Sequence, residues 1–475
     1  MTVRILFLTL ILILSPLTTY AMSRQLQLDA AAAILVEQST GRVLYAHNIH
    51  ETMFPASMSK ILTALVVVEH LDLDDIILVG SEIRNMPAGY ATNIHVEGET
   101  ISVHMLLKAL MIRSGNETGR TLAMEVIRRQ TGRNDITYNE AKPQFSALLN
   151  NKARSLGAND TIFNNPYGLH HYTSHVTTAY DMAIISRAFM DNPALADIVG
   201  IHTFEGDSLG GLFHANANVR EYSWTNTNRL LPGADFGHPF VNGIKTGFTT
   251  PAGHCFAGAA YFNGLGLVTV VFDSQDPGRW QDTRRLLDFG FFNFSFRDVA
   301  FADEIVDVVY IENPRLGDPI TLEVKSTKSY TALLSHSEYA AITRVITYDP
   351  LMLVDLSQLE YDENRPDAPH LRAPVNAGEE IGIIQYIANG TVFFEAPIIA
   401  ARYVYERTFD SDMDYYLALV FDNIFTTQAL PYWFGFGGIL FGILGLSMAI
   451  TVSRRARKFD RWQQPERRRP SRYDR

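Results

Sequence analysis

The spacing of apolar residues divides the chain into a mixed α/β region followed by a β-rich region. Short apolar runs predict three early strands, at residues 30–35, 43–46 and 264–272, and the last run is continuous enough for the centre of a sheet. Apolar residues three and four apart predict four helices, at residues 61–71, 105–112, 179–190 and 284–294. This mixed order predicts a sheet covered by helices, within a first domain at residues 22–297.

The pattern changes near residue 298, where short β-type segments replace the helical spacing. Five strands are predicted there, at residues 304–311, 320–324, 381–387, 392–396 and 398–404. Asn389-Gly390 is a hairpin turn signal between two of them. We therefore predict a small, mostly β domain at residues 298–407, followed by an amphipathic connector at residues 408–431.

Residues 1–21 are typical of a secretory signal peptide. Arg4 supplies the positive start, residues 5–17 form a short apolar core, and Thr19-Tyr20-Ala21 offers small residues for cleavage. An uncleaved amino-terminal anchor is the alternative, although the apolar core is short for a membrane span. The sequence therefore predicts that the residues that follow are exported.

Residues 432–452 contain no formal charge and predict a transmembrane helix. Their number suits the ~30 Å hydrocarbon layer of a bilayer, and Tyr432 and Trp433 suit its aromatic interface. The basic tail at residues 453–475 marks the cytoplasmic side by the positive-inside rule. A buried core helix is the weaker alternative. We expect a cell-membrane protein with a single carboxy-terminal anchor and its body on the periplasmic or extracellular side.

Composition and charge exclude several classes of function. The 475 residues carry a formal net charge of −11, although the tail is basic, so the body is strongly acidic and argues against nucleic-acid binding. The single cysteine, Cys255, excludes an intramolecular disulfide framework, and we expect it to be a buried structural thiol. His170, His171 and His175 are interpreted as loop residues, so neither a metal site nor a cofactor is predicted.

Ser57 and Lys60 are the first candidates for chemistry. They stand three residues apart at the start of a predicted helix, a spacing that places both side chains on one face. A serine hydroxyl needs a neighbouring base to act as a nucleophile, and a lysine can be that base only if its pKa is lowered. Ser-x-x-Lys alone also occurs by chance, and it then marks an ordinary helix start with a solvated lysine.

Two further motifs suit the same chemistry. Ser114-Gly115-Asn116 offers a hydroxyl for proton relay and an amide for holding a substrate. Lys245-Thr246-Gly247 suits an edge strand that pairs with an extended peptide, where the glycine keeps the approach clear. Each motif alone is most often a loop or a turn. The three in this order are far more specific, because Ser-x-x-Lys and Lys-Thr-Gly each occur once in the chain.

Together the motifs are typical of penicillin-binding proteins and class A β-lactamases. The chain resembles one family more closely: the D-alanyl-D-alanine carboxypeptidases, which are low-molecular-mass penicillin-binding proteins of the S11 peptidase type. Further segments that resemble this family lie at residues 39–45, 163–169, 177–183, 224–228, 278–279 and 286–290. The chain departs from the family pattern at Glu117-Thr118, at Phe248 and at Phe289, which replaces a tryptophan.

The resemblance implies an α/β (α+β) catalytic domain of the serine β-lactamase/DD-peptidase type, followed by the small β domain and the transmembrane helix. It implies a serine-type D-Ala-D-Ala carboxypeptidase that removes the terminal D-alanine from peptidoglycan pentapeptide stems through a Ser57 acyl-enzyme. β-Lactams would be covalent inhibitors that react with the same serine.

The resemblance also implies a role for each motif residue. Lys60 would be the base for Ser57, and Ser114 and Asn116 would assist proton transfer and hold the substrate. The residues expected to bind the substrate and its terminal carboxylate are Lys245, Thr246, Gly247 and Arg279. The backbone N–H groups of Ser57 and Phe248 would form the oxyanion hole, since such donors must face the developing charge.

Two other functions stay open on the sequence. A membrane-anchored serine β-lactamase needs a base that rapidly deacylates a penicilloyl-enzyme, and no loop glutamate of the class A kind can be placed. The second alternative function is that of a catalytically silent cell-wall scaffold, and the intact motif residues argue against it.

Overall fold

The computed structural model describes residues 26–87, 90, 92–169, 174–355, 357, 368–424 and 430–462. The chain forms two compact units. The first ends at Phe296 and also includes Leu333–His336, whereas the second comprises Arg297–Ala332 and the chain from Ser337 onward. The predicted signal peptide and the end of the basic tail, from residue 463, lie outside the described residues. The domain boundaries drawn from the sequence stay predictions.

The first unit combines a main sheet with two short strand pairs and a set of helices. Its strands are β1 (Ala32–Glu37), β2 (Val43–His47), β3 (Ile76–Leu78), β4 (Thr100–Ser102), β5 (Thr203–Asp207), β6 (Glu221–Thr225), β7 (Val241–Thr249), β8 (Gly253–Phe262) and β9 (Leu265–Ser274). Its α-helices are α1 (Ser59–Val68), α2 (Val103–Ile112), α3 (Asn116–Thr131), α4 (Tyr138–Leu156), α5 (Ala179–Met190), α6 (Pro193–Val199) and α7 (Gly278–Asn293).

The main sheet has the strand order β2-β1-β9-β8-β7, and every neighbouring pair is antiparallel. β9 lies in the middle and is buried except at Asp273, which confirms that the apolar run at residues 264–272 is a central strand. β7 lies at the edge and carries the Lys245-Thr246-Gly247 motif. An edge strand keeps one row of backbone groups available to an incoming extended chain.

Helix α1 lies inside the first unit, and nine of its ten residues are buried. Its sequence is apolar on nearly all sides, which is the pattern of a helix surrounded by other elements. α1 begins at Ser59 and ends at Val68, so it starts and ends earlier than the predicted helix at residues 61–71. Because Lys60 is the second residue of this buried helix, the fold carries the lysine into the core.

Three helices of the first unit, α3, α4 and α6, were not predicted. α3 and α4 are more polar on average than α1 and α2 and contain no continuous apolar run, although α4 does bury one face at helical spacing, through Ala141, Phe145, Leu149 and Ala153. A signal for α4 was nevertheless present, because Thr137 and Glu140 form a capping box at its start. Such a Thr-x-x-Glu pattern ahead of an apolar stretch indicates a helix start.

The second unit is built mainly from strands. In chain order they are β10 (Phe294–Ala300), which begins in the first unit, β11 (Ile305–Glu312), β12 (Thr321–Ser326), β13 (Tyr330–Ser335), β14 (Thr343–Tyr348), β15 (His370–Arg372), β16 (Glu380–Ala388) and β17 (Thr391–Ala400). Six of them form a sheet in the order β14-β16-β17-β12-β11-β15. The predicted β-rich character of this region is thus confirmed.

The hairpin of β16 and β17 confirms one local prediction and corrects another. Asn389 and Gly390 connect the strands with φ angles of 50° and 77°, as a tight hairpin turn requires. The two strands predicted at residues 392–396 and 398–404 are wrong, because β17 is one strand that continues through Pro397. Proline lacks an N–H but keeps its carbonyl, and the Pro397 carbonyl oxygen accepts hydrogen bonds from Thr327.

A short helix, α8 (His336–Ala340), follows β13, and two longer helices, α9 (Phe409–Ile424) and α10 (Leu430–Trp462), follow the second sheet. Among the described residues, one helical stretch, Trp433–Arg454, is long and apolar enough to cross a membrane, by length and composition. It includes most of the span predicted at residues 432–452. α10 continues beyond that span to Trp462, through residues that include several arginines, which favour helical structure.

Candidate active site

Ser57 lies in a single 3₁₀ turn, Ala56–Met58, that leads directly into α1. The turn is tightly packed against another loop at Gly168, which has a φ of 91°. A Cβ atom at this position would lie 1.7 Å from the carbonyl oxygen of Ala56 and 3.0 Å from the backbone nitrogen of Ser57. Glycine is therefore required here both by the left-handed φ and by the close approach to the serine turn.

The loop that contains Gly168 is held by the side chain of Asn165. The Asn165 Oδ1 accepts hydrogen bonds from the backbone N–H groups of Tyr167, Gly168 and Leu169, at 3.2, 2.8 and 3.1 Å. Thr63 on α1 also donates to the carbonyl of Pro166, at 2.7 Å. These bonds fix the direction of the neighbouring Tyr167 carbonyl, which faces α1.

Lys60 has three polar neighbours around its amine. Its Nζ lies 2.9 Å from Ser57 Oγ, 2.7 Å from Asn116 Oδ1 and 2.8 Å from the carbonyl oxygen of Tyr167. The amide and carbonyl oxygens only accept, whereas a serine hydroxyl also donates. A neutral amine has two N–H donors and one lone pair, so it matches two acceptors and one hydroxyl. The arrangement therefore directs the lone pair of Lys60 at the Ser57 proton.

The surroundings of Lys60 favour that neutral form. Its side chain is completely buried, and this burial lowers the pKa of Lys60 well below its usual value. The positive charge of Lys245 lowers the pKa of Lys60 further, whereas the negative charge of Glu117 raises it. The two lowering effects prevail, so Lys60 has the lowered pKa that a lysine needs to act as a base.

Asn116 begins α3 and connects Lys60 to a neighbouring segment. Its Nδ2 donates to the carbonyl of Tyr90 at 2.8 Å while its Oδ1 accepts from Lys60. Ser114, two residues earlier, has a positive φ of 62° and is half-buried. Within the part of the chain that the structure describes, its hydroxyl makes no hydrogen bond, so its role in proton relay stays a prediction.

Glu117 holds the same neighbouring segment by its carboxylate. Its Oε1 accepts from the backbone N–H groups of Thr92 and Asn93, at 2.6 and 2.8 Å, and its Oε2 accepts from the Thr92 hydroxyl. Burial raises the pKa of Glu117, but these hydrogen bonds outweigh burial and lower it, so the carboxylate is charged. Glu117 thus positions the segment beside Asn116 and supplies the negative charge that Lys60 senses.

The Lys-Thr-Gly motif lies on β7, which packs against the serine turn. Lys245 is 1% exposed, and burial followed by the charge of Arg279 lowers its pKa to about 7. Its Nζ donates to the Thr246 carbonyl at 3.2 Å, and the Thr246 hydroxyl lies 2.9 Å from that of Thr227. A Cβ on Gly247 would lie 2.9 Å from the Pro55 carbonyl oxygen, so this glycine allows β7 to approach the turn.

Arg279 on α7 reaches the same strand. Its Nη1 lies 3.4 Å from the carbonyl oxygen of Gly247, and its guanidinium stacks over Trp280 at 4.4 Å. Its Nε is buried and, among the described residues, has no hydrogen-bond partner, so the predicted role of Arg279 in binding a carboxylate stays a prediction. Phe248, the next residue of β7, has a side chain that is 56% exposed and stacks on His254. The oxyanion roles of the Ser57 and Phe248 N–H groups stay predictions.

The structure brings the predicted site residues together in two groups. Ser57, Lys60 and Asn116 share direct hydrogen bonds, and Lys245, Thr246, Gly247 and Arg279 share the edge strand and its neighbour. Charge connects the groups, because Lys245 lowers the pKa of Lys60.

Two residues of the sequence analysis belong to the packing around the site. Cys255 is completely buried, as predicted, and burial raises its pKa to about 12. His175 lies in a bend, as the loop interpretation predicted, and it is buried there with its Nε2 2.8 Å from Ser59 Oγ at the start of α1. His170 and His171 lie outside the described residues. No cluster of metal-ligating side chains occurs among the described residues.

Comparison with known proteins places this site in a family. The family model described as D-alanyl-D-alanine carboxypeptidase matches residues 19–276, which is more than half of the chain. The chain belongs to the D-alanyl-D-alanine carboxypeptidase family. This confirms the predicted family, the fold class and the function as a serine-type carboxypeptidase.

Individual relatives agree over most of the chain. D-alanyl-D-alanine carboxypeptidase DacF of Bacillus subtilis strain 168 is 27% identical over 78% of this chain and 85% of its own length. The structure of DacD from Francisella tularensis has a TM-score of 0.55 at 21% identity and covers 80% of this chain and 95% of its own. Penicillin binding protein 5 from Haemophilus influenzae has a TM-score of 0.53 at 22% identity, covering 81% and 100%. The two structures share the fold.

We expect Gly168→Ala to disturb the serine turn itself. The new Cβ meets the Ala56 carbonyl, so β-lactam acylation of Ser57 should slow at least tenfold, in addition to about 1–2 kcal/mol lost to the left-handed φ. Gly157→Ala is the matched control, because Gly157 also has a φ of 91° but no atom lies near its Cβ. Stopped-flow acylation and thermal unfolding separate the two costs, and equal acylation rates in both variants would contradict this account.

We expect Glu117→Gln to move the pH dependence of acylation. Removing the negative charge lowers the pKa of Lys60 further, so the base is neutral at lower pH and the acid limb of the rate profile shifts to lower pH. Gln keeps an oxygen for the N–H groups of Thr92 and Asn93. Glu125→Gln, on the same helix but paired with Arg129 at the surface, should leave the profile in place. An unshifted profile for Glu117→Gln would show that Lys60 does not sense this charge.

Proposed function

We propose that Ser57 is the nucleophile and Lys60 the general base with which this chain removes the terminal D-alanine from peptidoglycan stem peptides. The observation that carries the proposal is the environment of Lys60: its amine is buried, lies 2.9 Å from Ser57 Oγ, and has acceptors at its other two bonds. A general base must be within hydrogen-bond reach of the proton that it takes. Family membership supports the reaction, and the contact between Lys60 and Ser57 supports the assignment of these two residues to it.

In the acylation step, the Ser57 oxygen attacks the carbonyl carbon of the penultimate D-alanine, and its proton passes to Lys60. The new C–O bond forms an ester when the bond to the terminal D-alanine nitrogen breaks, and that nitrogen takes up a proton. Asn116 keeps the Lys60 amine in place through its side-chain oxygen during this transfer. Water then cleaves the ester and regenerates the Ser57 hydroxyl. We assign Ser114 to the proton path to the leaving nitrogen, which is the role its family motif implies.

The carboxylate of the terminal D-alanine is the group that we assign to β7 and α7. Lys245 and Arg279 are two cations in one buried region, and Thr246 adds a hydroxyl. Charge-assisted hydrogen bonds of this kind are stronger than neutral ones and specify a free carboxylate. The extended peptide would pair with the edge of β7, where Gly247 leaves room for close approach.

We also propose that the chain is anchored in the cytoplasmic membrane with its body on the outer side. Trp433–Arg454 supports the anchor by length and composition, and the predicted signal peptide supports export. The proposed substrate is consistent with this placement, because peptidoglycan lies outside the cytoplasmic membrane.

The β-lactamase alternative differs from this proposal in one step. Both functions begin with acylation of Ser57 by a penicillin, but a β-lactamase must also hydrolyse the ester rapidly. Across the described residues no carboxylate hydrogen bonds to Ser57, and the Ser57 hydroxyl bonds to Lys60. We therefore expect a long-lived penicilloyl-enzyme.

The test of the nucleophile is Ser57→Ala. The variant should lose covalent labelling by benzylpenicillin and lose release of D-alanine from diacetyl-Lys-D-Ala-D-Ala by at least 10³-fold, since no other group replaces the attacking oxygen. Ser155→Ala, at an exposed position on α4, is the control and should keep both activities. Mass spectrometry of the wild type should map the adduct to Ser57. Labelling that persists in Ser57→Ala would refute the assignment, and rapid adduct turnover in the wild type would favour a β-lactamase.

We expect Lys245→Met to impair recognition of the substrate carboxylate. The value of kcat/KM should fall about 10- to 100-fold more for a peptide with a free carboxylate than for the same peptide ending in an amide. Both peptides should share a smaller loss, because removing the charge of Lys245 also raises the pKa of Lys60. Lys245 binds the carboxylate only when protonated, so wild-type kcat/KM for the acid should fall as pH rises through about 7. Lys152→Met, which removes a surface ion pair with Glu69, is the control. Equal losses on both peptides would place Lys245 elsewhere in the mechanism.

A further inference from the structure

A cavity separate from the Ser57 site lies in the first unit, between α3, the start of α4 and the segment at residues 81–87. Its volume is about 690 Å³, which is within the range of sites for small organic ligands. Asn165, Tyr167 and Leu169 contribute to its wall, so it borders the loop whose backbone carbonyl bonds to Lys60. Neither Ser57 nor the Lys-Thr-Gly strand lines it, and the reaction proposed above makes no use of it.

The wall of this cavity is rich in cations. Arg84, Arg120, Arg128 and Lys142 line it together with two acidic residues, Glu82 and Asp135. Most of these charges are paired nearby. Arg84 pairs with Glu97, Arg128 lies 3.6 Å from Glu82, and Asp135 pairs with Arg133 outside the cavity.

Arg120 and Lys142 are the exceptions, since neither forms an ion pair within the described ranges of the chain. Lys142 is half-buried on α4, whereas Arg120 on α3 is only 8% exposed. A charged side chain at such depth is costly unless it is paired or fully hydrogen-bonded. The two unpaired cations therefore leave the cavity with an uncompensated positive charge.

The contacts of Arg120 compensate its charge only in part. Its Nη1 lies 3.3 Å from the carbonyl oxygen of Glu82 and 3.2 Å from that of Arg84, while its buried Nε has no hydrogen-bond partner in the part of the chain that the structure describes. Its guanidinium lies over the rings of Tyr138 and Tyr167, at 4.4 and 5.7 Å. Carbonyls and aromatic faces stabilise a guanidinium less than an anion does. The Arg120 Nε is thus a buried donor without a partner, on a residue that lines the cavity.

We propose that this cavity is a binding site for an oxyanion, a carboxylate or phosphate group on a small ligand, with Arg120 as its principal contact and Lys142 as a second. A guanidinium presents its donors as a planar fork, which matches both kinds of oxyanion. The presence of Glu82 and Asp135 in the same wall favours a group of low charge, and hence a carboxylate over a phosphate dianion. The proposal is independent of the reaction at Ser57.

The test measures binding of two probes to the full chain in detergent, by isothermal titration calorimetry at pH 7. Sodium succinate represents a carboxylate and sodium phosphate a phosphate, both at an ionic strength held constant with chloride. We expect millimolar or tighter binding of succinate, with a Kd of roughly 1 mM or below. Tighter binding of phosphate than of succinate would keep the oxyanion site but assign the ligand to the phosphate class.

Variants separate the cavity from the protein surface. Arg120→Met should weaken binding at least tenfold, and Lys142→Met should weaken it about two- to fivefold. Arg154→Met, at an exposed position near the other end of α4, should bind as the wild type does. Covalent labelling of Ser57 by benzylpenicillin reports whether each variant is folded. If Arg120→Met does not fold, the binding affinities of Arg120→Lys and Lys142→Met test the proposal in its place. Absence of binding to the wild type, or equal binding by the cavity variants, would overturn the proposal.

Discussion

The desolvated amine of Lys60 is the interaction on which the rest of the site depends. An ammonium ion in a protein interior loses its hydration, so burial drives the lysine toward its neutral form. The fold enforces this burial, because Lys60 is the second residue of a helix surrounded by other helices. The free energy that folding gains from burying α1 therefore also holds the amine in the neutral state that the proposed role of Lys60 as a base requires.

A neutral amine acts as a base only if its lone pair points at the proton, and the groups around Lys60 orient that lone pair. The Tyr167 carbonyl and Asn116 Oδ1 occupy the two N–H groups of the amine, which leaves its lone pair for Ser57. The Tyr167 carbonyl faces Lys60 because Asn165 caps the following backbone N–H groups and because Gly168 fits against Ala56. The loop is thus fixed by hydrogen bonds to one of its own side chains and by one glycine, in addition to the burial of Phe163 and Tyr167.

The sequence predicted the site residues that belong to recognisable side-chain motifs. It missed the parts of the site that are formed by backbone groups and by contacts between distant segments. Ser57 and Lys60 follow from their spacing, and the edge position of Lys245 follows from its motif. The Tyr167 carbonyl has no signature in the sequence, because every residue carries one. Glu117 was noticed only as a departure from the family pattern, since its partners, Thr92 and Asn93, are more than 20 residues away and their pairing depends on the folded loop. The missed helices α3 and α4 have an apolar face, but it is interrupted by polar residues and forms no continuous apolar run in the sequence.

The two lysines of the site require opposite charge states, and their surroundings separate them. Lys245 has a pKa of about 7 and stands beside Arg279, whereas burial and then the positive charge of Lys245 lower the pKa of Lys60 well below its usual value. A protonated Lys245 therefore favours the neutral form of Lys60. A substrate carboxylate would stabilise the protonated form of Lys245 and, by its own negative charge, partly offset the effect of Lys245 on Lys60. Binding of the correct substrate thus preserves the cation that recognises it and strengthens the base that then acts on Ser57.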